Sequence, residues 1–287
     1  MTVSEPSAAD LRRLSAPFRV RFDESGPSGT IRSSVLLRYA GQLAWIHSEG
    51  LGFDRAWYRQ RGLAWLVRAV DLQILRPIAD GDELLGSTEV VGIRRVLARR
   101  RSEFLSAAGE LAAIVSVDWA MTTSAGVLTR VPSEVAGAFG TVLDSFEPIR
   151  AARIEAPPDT ARLAIAVRPQ ELDPMAHVNN AVYVDWLEEA IVAAGRPGRA
   201  DFHDDAEADG DADPADSEVG RPRPDPAGVL RTIPRGYRLE YLAAAAPGQR
   251  LLAGAWPDSD GGWSCRIEDA SGDGLLLRAQ VRLASSL

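Results

Sequence analysis

The chain has 287 residues, a mass of 30.9 kDa and 46% hydrophobic residues, enough for one large domain or two of ordinary size with a substantial core. Acidic residues outnumber basic ones, 40 to 32, and the net charge of −8 excludes the basic footprint of a non-specific nucleic-acid binder. Every basic residue is arginine, which excludes lysine Schiff-base chemistry and a phosphate-loop lysine; the single cysteine, Cys265, allows neither an internal disulfide nor a cysteine metal cluster.

Residues 1–17 read as an N-terminal tail. Its sequence, MTVSEPSAADLRRLSAPF with the next residue, has no apolar core of signal-peptide type, and no uncharged stretch reaches the ~20 residues of a membrane span. A cytoplasmic location is therefore expected. Residues 18–147 read as a first half, with a strand, a turn, a long helix through QLAWIHSEGLG and then several strands such as Leu111 to Thr123. Within it, Arg94, Arg95, Arg99, Arg100 and Arg101 form one short run (IRRVLARRR). That run is either a solvated strand face or a contact for phosphates or an acidic partner.

After a joint at 148–162, residues 163–287 repeat the first half. VRFDESGPSGTIRSSVLLRYAGQLA from Val20 lies over VRPQELDPMAHVNNAVYVDWLEEAI from Val167 without a gap, an offset of 147, with Val20, Arg21, Glu24, Pro27 and Val35 recurring as Val167, Arg168, Glu171, Pro174 and Val182. Further on, Val70 to Leu85 matches Tyr237 to Leu252. Such self-similarity at a long period predicts a duplicated domain. In the second helix Val182, Trp186, Ala190 and Tyr183, Leu187, Ile191 form an apolar stripe opposite Asp185, Glu188 and Glu189, with Asn180 as its cap. The expected architecture is α+β, a helix wrapped by an antiparallel sheet and repeated twice. A flexible acidic insert at about 196–228 interrupts the second half, rich in Pro, Gly and Asp. Asp205, Glu207, Asp209, Gly210 and Asp216 within it mimic calcium-loop spacing, but without flanking helices and with Pro214 inside they read as a solvated linker. Cys265, in WSCRIED, reads as an inert strand thiol.

The sharpest constellation is Asp173-Pro-Met-Ala-His177-Val-Asn179-Asn180, a carboxylate and an imidazole four residues apart at a turn directly before a helix. A helix N-terminus gathers unpaired N–H groups and positive dipole, so backbone amides near Val178, Asn180 and Ala181 can hold an oxyanion. Asp173 can attack a carbonyl or activate water, His177 can move a proton, and Asn179 can orient the loop. The plain alternative is an Asx turn at Asp173, an interior histidine and an asparagine cap. The first half has Gly26 and Thr30 at the equivalent positions, so whatever the pair does is done once per chain.

DPMAHVNNAVYVDWLEEA resembles the helix-start motif of hotdog thioesterases. The whole chain, over residues 18–147 and 163–285, resembles the double-hotdog acyl-acyl-carrier-protein thioesterases of plants and bacteria. The resemblance implies a tandem hotdog fold and hydrolysis of acyl thioesters on acyl carrier protein or coenzyme A, without metal or organic cofactor. It makes Asp173 and His177 catalytic and places an acyl pocket under the first-half helix, where His47 and Trp45 are candidates for the lining, although simple packing suits both. A monomeric pseudo-dimer or a homodimer is expected. Two positions depart from the plant pattern: Met175 stands where the plant motif has asparagine, and Ala244 and Ala245 stand where it has a Glu-Cys pair after Leu239-Glu240-Tyr241. These departures keep two rivals in view, a non-catalytic acyl-binding hotdog and a hydratase or dehydratase of the same fold.

Overall fold

The structure is a computed structural model that describes residues 12–139, 146–195, 226–272 and 274–283. Residues 1–11, His203, the calcium-like spacing and nearly all of the acidic insert lie outside the described residues.

Among the described residues ten strands form one antiparallel sheet, in the order β1-β3-β4-β5-β2-β7-β10-β9-β8-β6. The first half supplies β1 (Arg13–Arg19), β2 (Leu63–Ile74), β3 (Glu83–Arg94), β4 (Leu97–Ser106) and β5 (Leu111–Thr123). The second supplies β6 (Arg162–Ala166), β7 (Arg235–Tyr241), β8 (Arg250–Pro257), β9 (Trp263–Asp269) and β10 (Leu275–Leu283). Read outward from the central β2–β7 pair, the two halves have the same strand order, which is the tandem hotdog architecture. β1 begins at Arg13, because Leu14, Ala16 and Phe18 alternate inward along the edge of β3; the stretch read as a tail therefore ends sooner than residue 17.

Helices α1 (Ser33–Gly50) and α4 (Val182–Ala194) lie on the inner face of the sheet and touch each other. Three shorter α-helices are present among the described residues, α2 (Arg55–Gln60), α3 (Ser133–Ala138) and α5 (Pro226–Arg231), and α5 occupies the end of the segment read as insert. Leu36, Leu43, Leu187 and Ile191 are buried between helices and sheet, each worth roughly 1.5–3 kcal/mol of transfer from water. Arg38 of α1 meets Asp185 of α4 at 3.3 Å, and these two residues are equivalent by the 147-residue offset, so the ion pair marks the point where the repeats face each other.

On the outer face, Asp71 of β2 accepts Arg238 of β7 at 2.7 Å and Arg282 of β10 at 2.8 Å, tying the halves across the central seam. Cys265 is 2% exposed in β9, and burial pushes its thiol well above the usual range, consistent with an unreactive position.

Candidate active site

Both long helices start from the same turn. In the first half Gly26 N donates to Thr30 O and Gly29 N to Gly26 O, each at 2.9 Å; in the second Asp173 N donates to His177 O at 2.7 Å and Ala176 N to Asp173 O at 2.9 Å. The bridges Ser25–Ile31 and Leu172–Val178 close the two turns identically. Gly29 and Ala176 both take left-handed backbone, at φ +70° and +61°, a conformation that glycine adopts freely and alanine only with strain. Behind the turns, Tyr39 Oη donates to Glu24 at 2.5 Å and Trp186 Nε1 donates to Glu171 at 3.3 Å, again one equivalent pair over the other. Burial works against ionisation of Glu171, but bonds from the Arg168 side chain and amide, with help from the indole, outweigh it and hold the carboxyl below its ordinary range.

What differs is the chemistry placed on the second turn. Asp173 Oδ1 accepts the amides of Met175 at 2.8 Å and His177 at 3.1 Å, so half of the carboxylate fastens its own turn while Oδ2 is left for other work. His177 stands on the same wall, half-buried; its side chain makes no direct hydrogen bond to Asp173 among the described residues. Asn179 Oδ1 accepts the amide of Ala181 at 3.0 Å. That corrects two expectations: Asn179, not Asn180, provides the side-chain contact at the helix start, and the Ala181 N–H is already engaged. Asn180 instead accepts Tyr241 Oη at 2.9 Å through its carbonyl oxygen. The amides of Val178 and Asn180 donate to no protein acceptor among the described residues and sit at the positive end of α4.

Asp173, His177, Val178, Asn179, Asn180 and Ala181 all line one cavity of about 1590 Å³ that runs from this turn under α1 to β4. Apolar groups such as Leu37, Val70, Val117, Trp119 and Tyr183 make much of the wall. Trp45 of α1 lines it and is 40% exposed, whereas His47 of the same helix is buried against β4. Ala243 and Ala244 line the cavity beside the turn, and Ala245 N donates to the buried Tyr183 Oη at 3.0 Å. The alanine run thus lets a loop pass close over an aromatic side chain at the mouth.

The arginine run does not form one surface. Arg94 and Arg95 are exposed at the β3–β4 turn, whereas Arg99 pairs with the fully buried Asp118 at 2.7 and 2.9 Å and Arg101 pairs with Glu103 at 3.0 Å. Arg100 points to the opposite face, 6% exposed, and lines the cavity. Strand alternation separates neighbours in sequence onto different faces: Ala98, Arg100, Ser102 and Phe104 are buried while their neighbours are partly exposed, and the two-residue spacing of Ala98, Arg100 and Phe104 was the available signal. A carboxylate was likewise misplaced by pattern alone: Glu188, expected on the solvent face of α4, turns toward α1 and accepts Tyr237 Oη at 2.5 Å.

Comparison with known proteins gives a consistent family. A model described as acyl-ACP thioesterase N-terminal domain matches residues 13–139, and one described as acyl-ACP thioesterase C-terminal domain matches residues 154–194, together more than half of the chain. A chloroplastic dodecanoyl-[acyl-carrier-protein] hydrolase from Cinnamomum camphora is 25% identical over 196 residues, covering 61% of this chain and 50% of that protein, so the match spans about half the length of the curated relative. Among solved structures, a 12:0-ACP thioesterase from Umbellularia californica aligns with TM-score 0.72 and 17% identity over 94% of this chain and 96% of that one. An acyl-ACP thioesterase from Bacteroides thetaiotaomicron aligns with TM-score 0.72 and 14% identity over 96% and 99%. At these identities the structural likeness speaks for the fold alone.

Proposed function

The chain belongs to the acyl-acyl-carrier-protein thioesterase family, and from that premise we propose that it hydrolyses acyl thioesters to free acids, with fatty acyl-acyl-carrier-protein as the substrate class. The observation that carries this reading is the large cavity with the Asp173 turn at one end and mostly apolar walls behind it, a shape that fits an acyl chain with its thioester held at the helix start.

In this reading the thioester carbonyl oxygen lies against the amides of Val178 and Asn180, whose N–H groups are unspent. Asp173 Oδ2 takes a proton from water, the hydroxide adds to the carbonyl carbon, and the two amides and the α4 dipole stabilise the oxyanion. Collapse of the tetrahedral intermediate breaks the C–S bond, and His177 delivers a proton to the leaving thiolate. Asn179 positions the loop through Ala181. The base role suits Asp173 better than the nucleophile role, because two backbone donors already occupy Oδ1. Positions 244 and 245 carry methyl groups, so no acid or base enters from that loop.

For the carrier, the exposed Arg55 and Arg59 of α2 line the same cavity and suit the phosphate of a pantetheine arm or an acidic carrier surface better than the dispersed Arg94–Arg101 run. Thiol release from matched acyl-carrier-protein and acyl-coenzyme-A thioesters tests the proposal. Turnover on the carrier-protein series, reduced about 10²-fold or more in His177→Ala, is expected. No release from either series, with acyl analogues still bound, would replace the hydrolase with an acyl-binding protein; hydration of an enoyl thioester without thiol release would replace it with a hydratase.

A further inference from the structure

The far wall of the cavity is not apolar. Arg100 of β4 stands in register with Val117 of β5, which pairs with Val70 of β2, which pairs with Leu239 of β7, so all four side chains project from the inner face. Three strand spacings, about 14 Å, separate Arg100 from β7, the strand that ends in Tyr241 beside the Asp173 turn. An extended acyl chain anchored at that turn and lying across these strands therefore ends at a guanidinium.

The surroundings of that guanidinium are incomplete for a charge. Nη1 lies 2.8 Å from His47 Nδ1, which must accept because arginine only donates, and the Phe139 ring lies 5.3 Å from the guanidinium carbon. No carboxylate pairs with Arg100 among the described residues, in contrast to its neighbours Arg99 and Arg101. Burial lowers its pKa to about 10, a cost that the nearby Tyr58 offsets only in part. Polar groups continue around it: Tyr58, lining the cavity, has its hydroxyl 3.2 Å from Ser48 Oγ and accepts Trp65 Nε1 at 3.0 Å. A methyl-ended chain filling this region would remove the little solvent that still reaches this cation through the cavity and return no acceptor, which is unfavourable.

We propose that this protein selects acyl groups that carry an oxygen acceptor at the end distal to the thioester, a carboxylate above all, and that Arg100 is the residue that binds it. The inference rests on the thioesterase reading only for the orientation of the chain in the cavity. It makes Arg100 a specificity residue remote from the reacting carbonyl, with His47 holding the guanidinium in place.

The test measures binding of three non-hydrolysable N-acyl pantetheine amides to the full chain by calorimetry. Their acyl groups have equal medium length and end in methyl, hydroxyl or carboxylate. The carboxylate ligand is expected to bind about tenfold more tightly than the methyl ligand or better, with the hydroxyl ligand between them. That preference should fall to within about twofold in Arg100→Met and Arg100→Gln. Equal or tighter binding of the methyl ligand by the native chain overturns the proposal, and a carboxylate preference that survives both substitutions overturns the role of Arg100. If neither variant folds, ¹³C NMR of the distal carboxyl bound to the native chain decides: a carboxylate that stays ionised below its free pKa supports pairing with the guanidinium, and one that titrates normally refutes it. Thiol release from the matching thioesters, run in parallel, reads the hydrolase proposal separately, since its failure leaves the binding preference intact.

Discussion

Replacing Glu188 by glutamine is expected to remove a loss of stability that the native protein suffers as pH rises out of the acid range. Burial raises the pKa of this carboxyl, and the bond from Tyr237 Oη, the contact with Ser33 and the charge of Arg235 only partly oppose the effect. Between the ordinary glutamate pKa, about 4.3, and the raised value, the folded chain holds a proton that the unfolded chain has released. Stability from this group is therefore complete below the ordinary pKa, falls by up to about 1.4 kcal/mol per pH unit through the window, and levels off above the folded pKa. Glutamine keeps an acceptor for Tyr237 and does not titrate. Urea unfolding of both proteins from pH 4 to 8 reads the difference directly, because other groups cancel in the subtraction. A gain for the variant that grows with pH and then flattens is expected. A pH-independent difference, or a gain for the native protein at higher pH, would refute the assignment of a raised pKa to Glu188.

Ala176→Gly should stabilise the protein by up to about 1 kcal/mol, since a left-handed alanine is strained and the equivalent Gly29 is not, less what glycine returns to the unfolded chain; a lower Tm in the variant would show that the alanine methyl group packs usefully. Ala244→Glu places a carboxylate in the cavity beside the Asp173 turn, at the position where the plant pattern has one, and is expected to raise kcat for thiol release by about tenfold as a second base. An unchanged or reduced kcat in a folded variant would mean that this loop does not approach the reacting carbonyl.

The duplication was legible because its five identities fall on residues with local duties. Arg21 with Glu24 and Arg168 with Glu171 build the same turn twice, and that turn fixes the start of each helix. The Asp173 and His177 pair was visible for the same reason: the frame repeats, and within the turn, Ser25 to Ile31 against Leu172 to Val178, only these two positions change from inert to titratable. What stayed hidden depends on which neighbours the folded chain brings to each side chain. Glu188 reads as a surface residue on an isolated helix, but α4 packs against α1 as well as the sheet, so its polar face meets Tyr237, 49 residues downstream. Arg100 was hidden within a run of like residues, where composition suggested one patch and strand alternation divides it. The choice between Asn179 and Asn180 at the helix start turned on one residue of phase, which side-chain geometry settles and spacing does not.

In the proposed mechanism the carboxylate of Asp173 carries two roles that substitution can separate. Alanine removes both the acceptor for the Met175 and His177 amides, worth about 1–3 kcal/mol, and the base; asparagine retains the acceptor and removes only the base. The decisive measurement is therefore steady-state thiol release from fatty acyl-acyl-carrier-protein by Asp173→Asn, with its Tm recorded beside that of the native chain. A Tm near native with turnover reduced about 10²-fold or more is the predicted result. Turnover at the native rate would contradict the account, because the second turn would then do no more than its glycine-bearing counterpart in the first half.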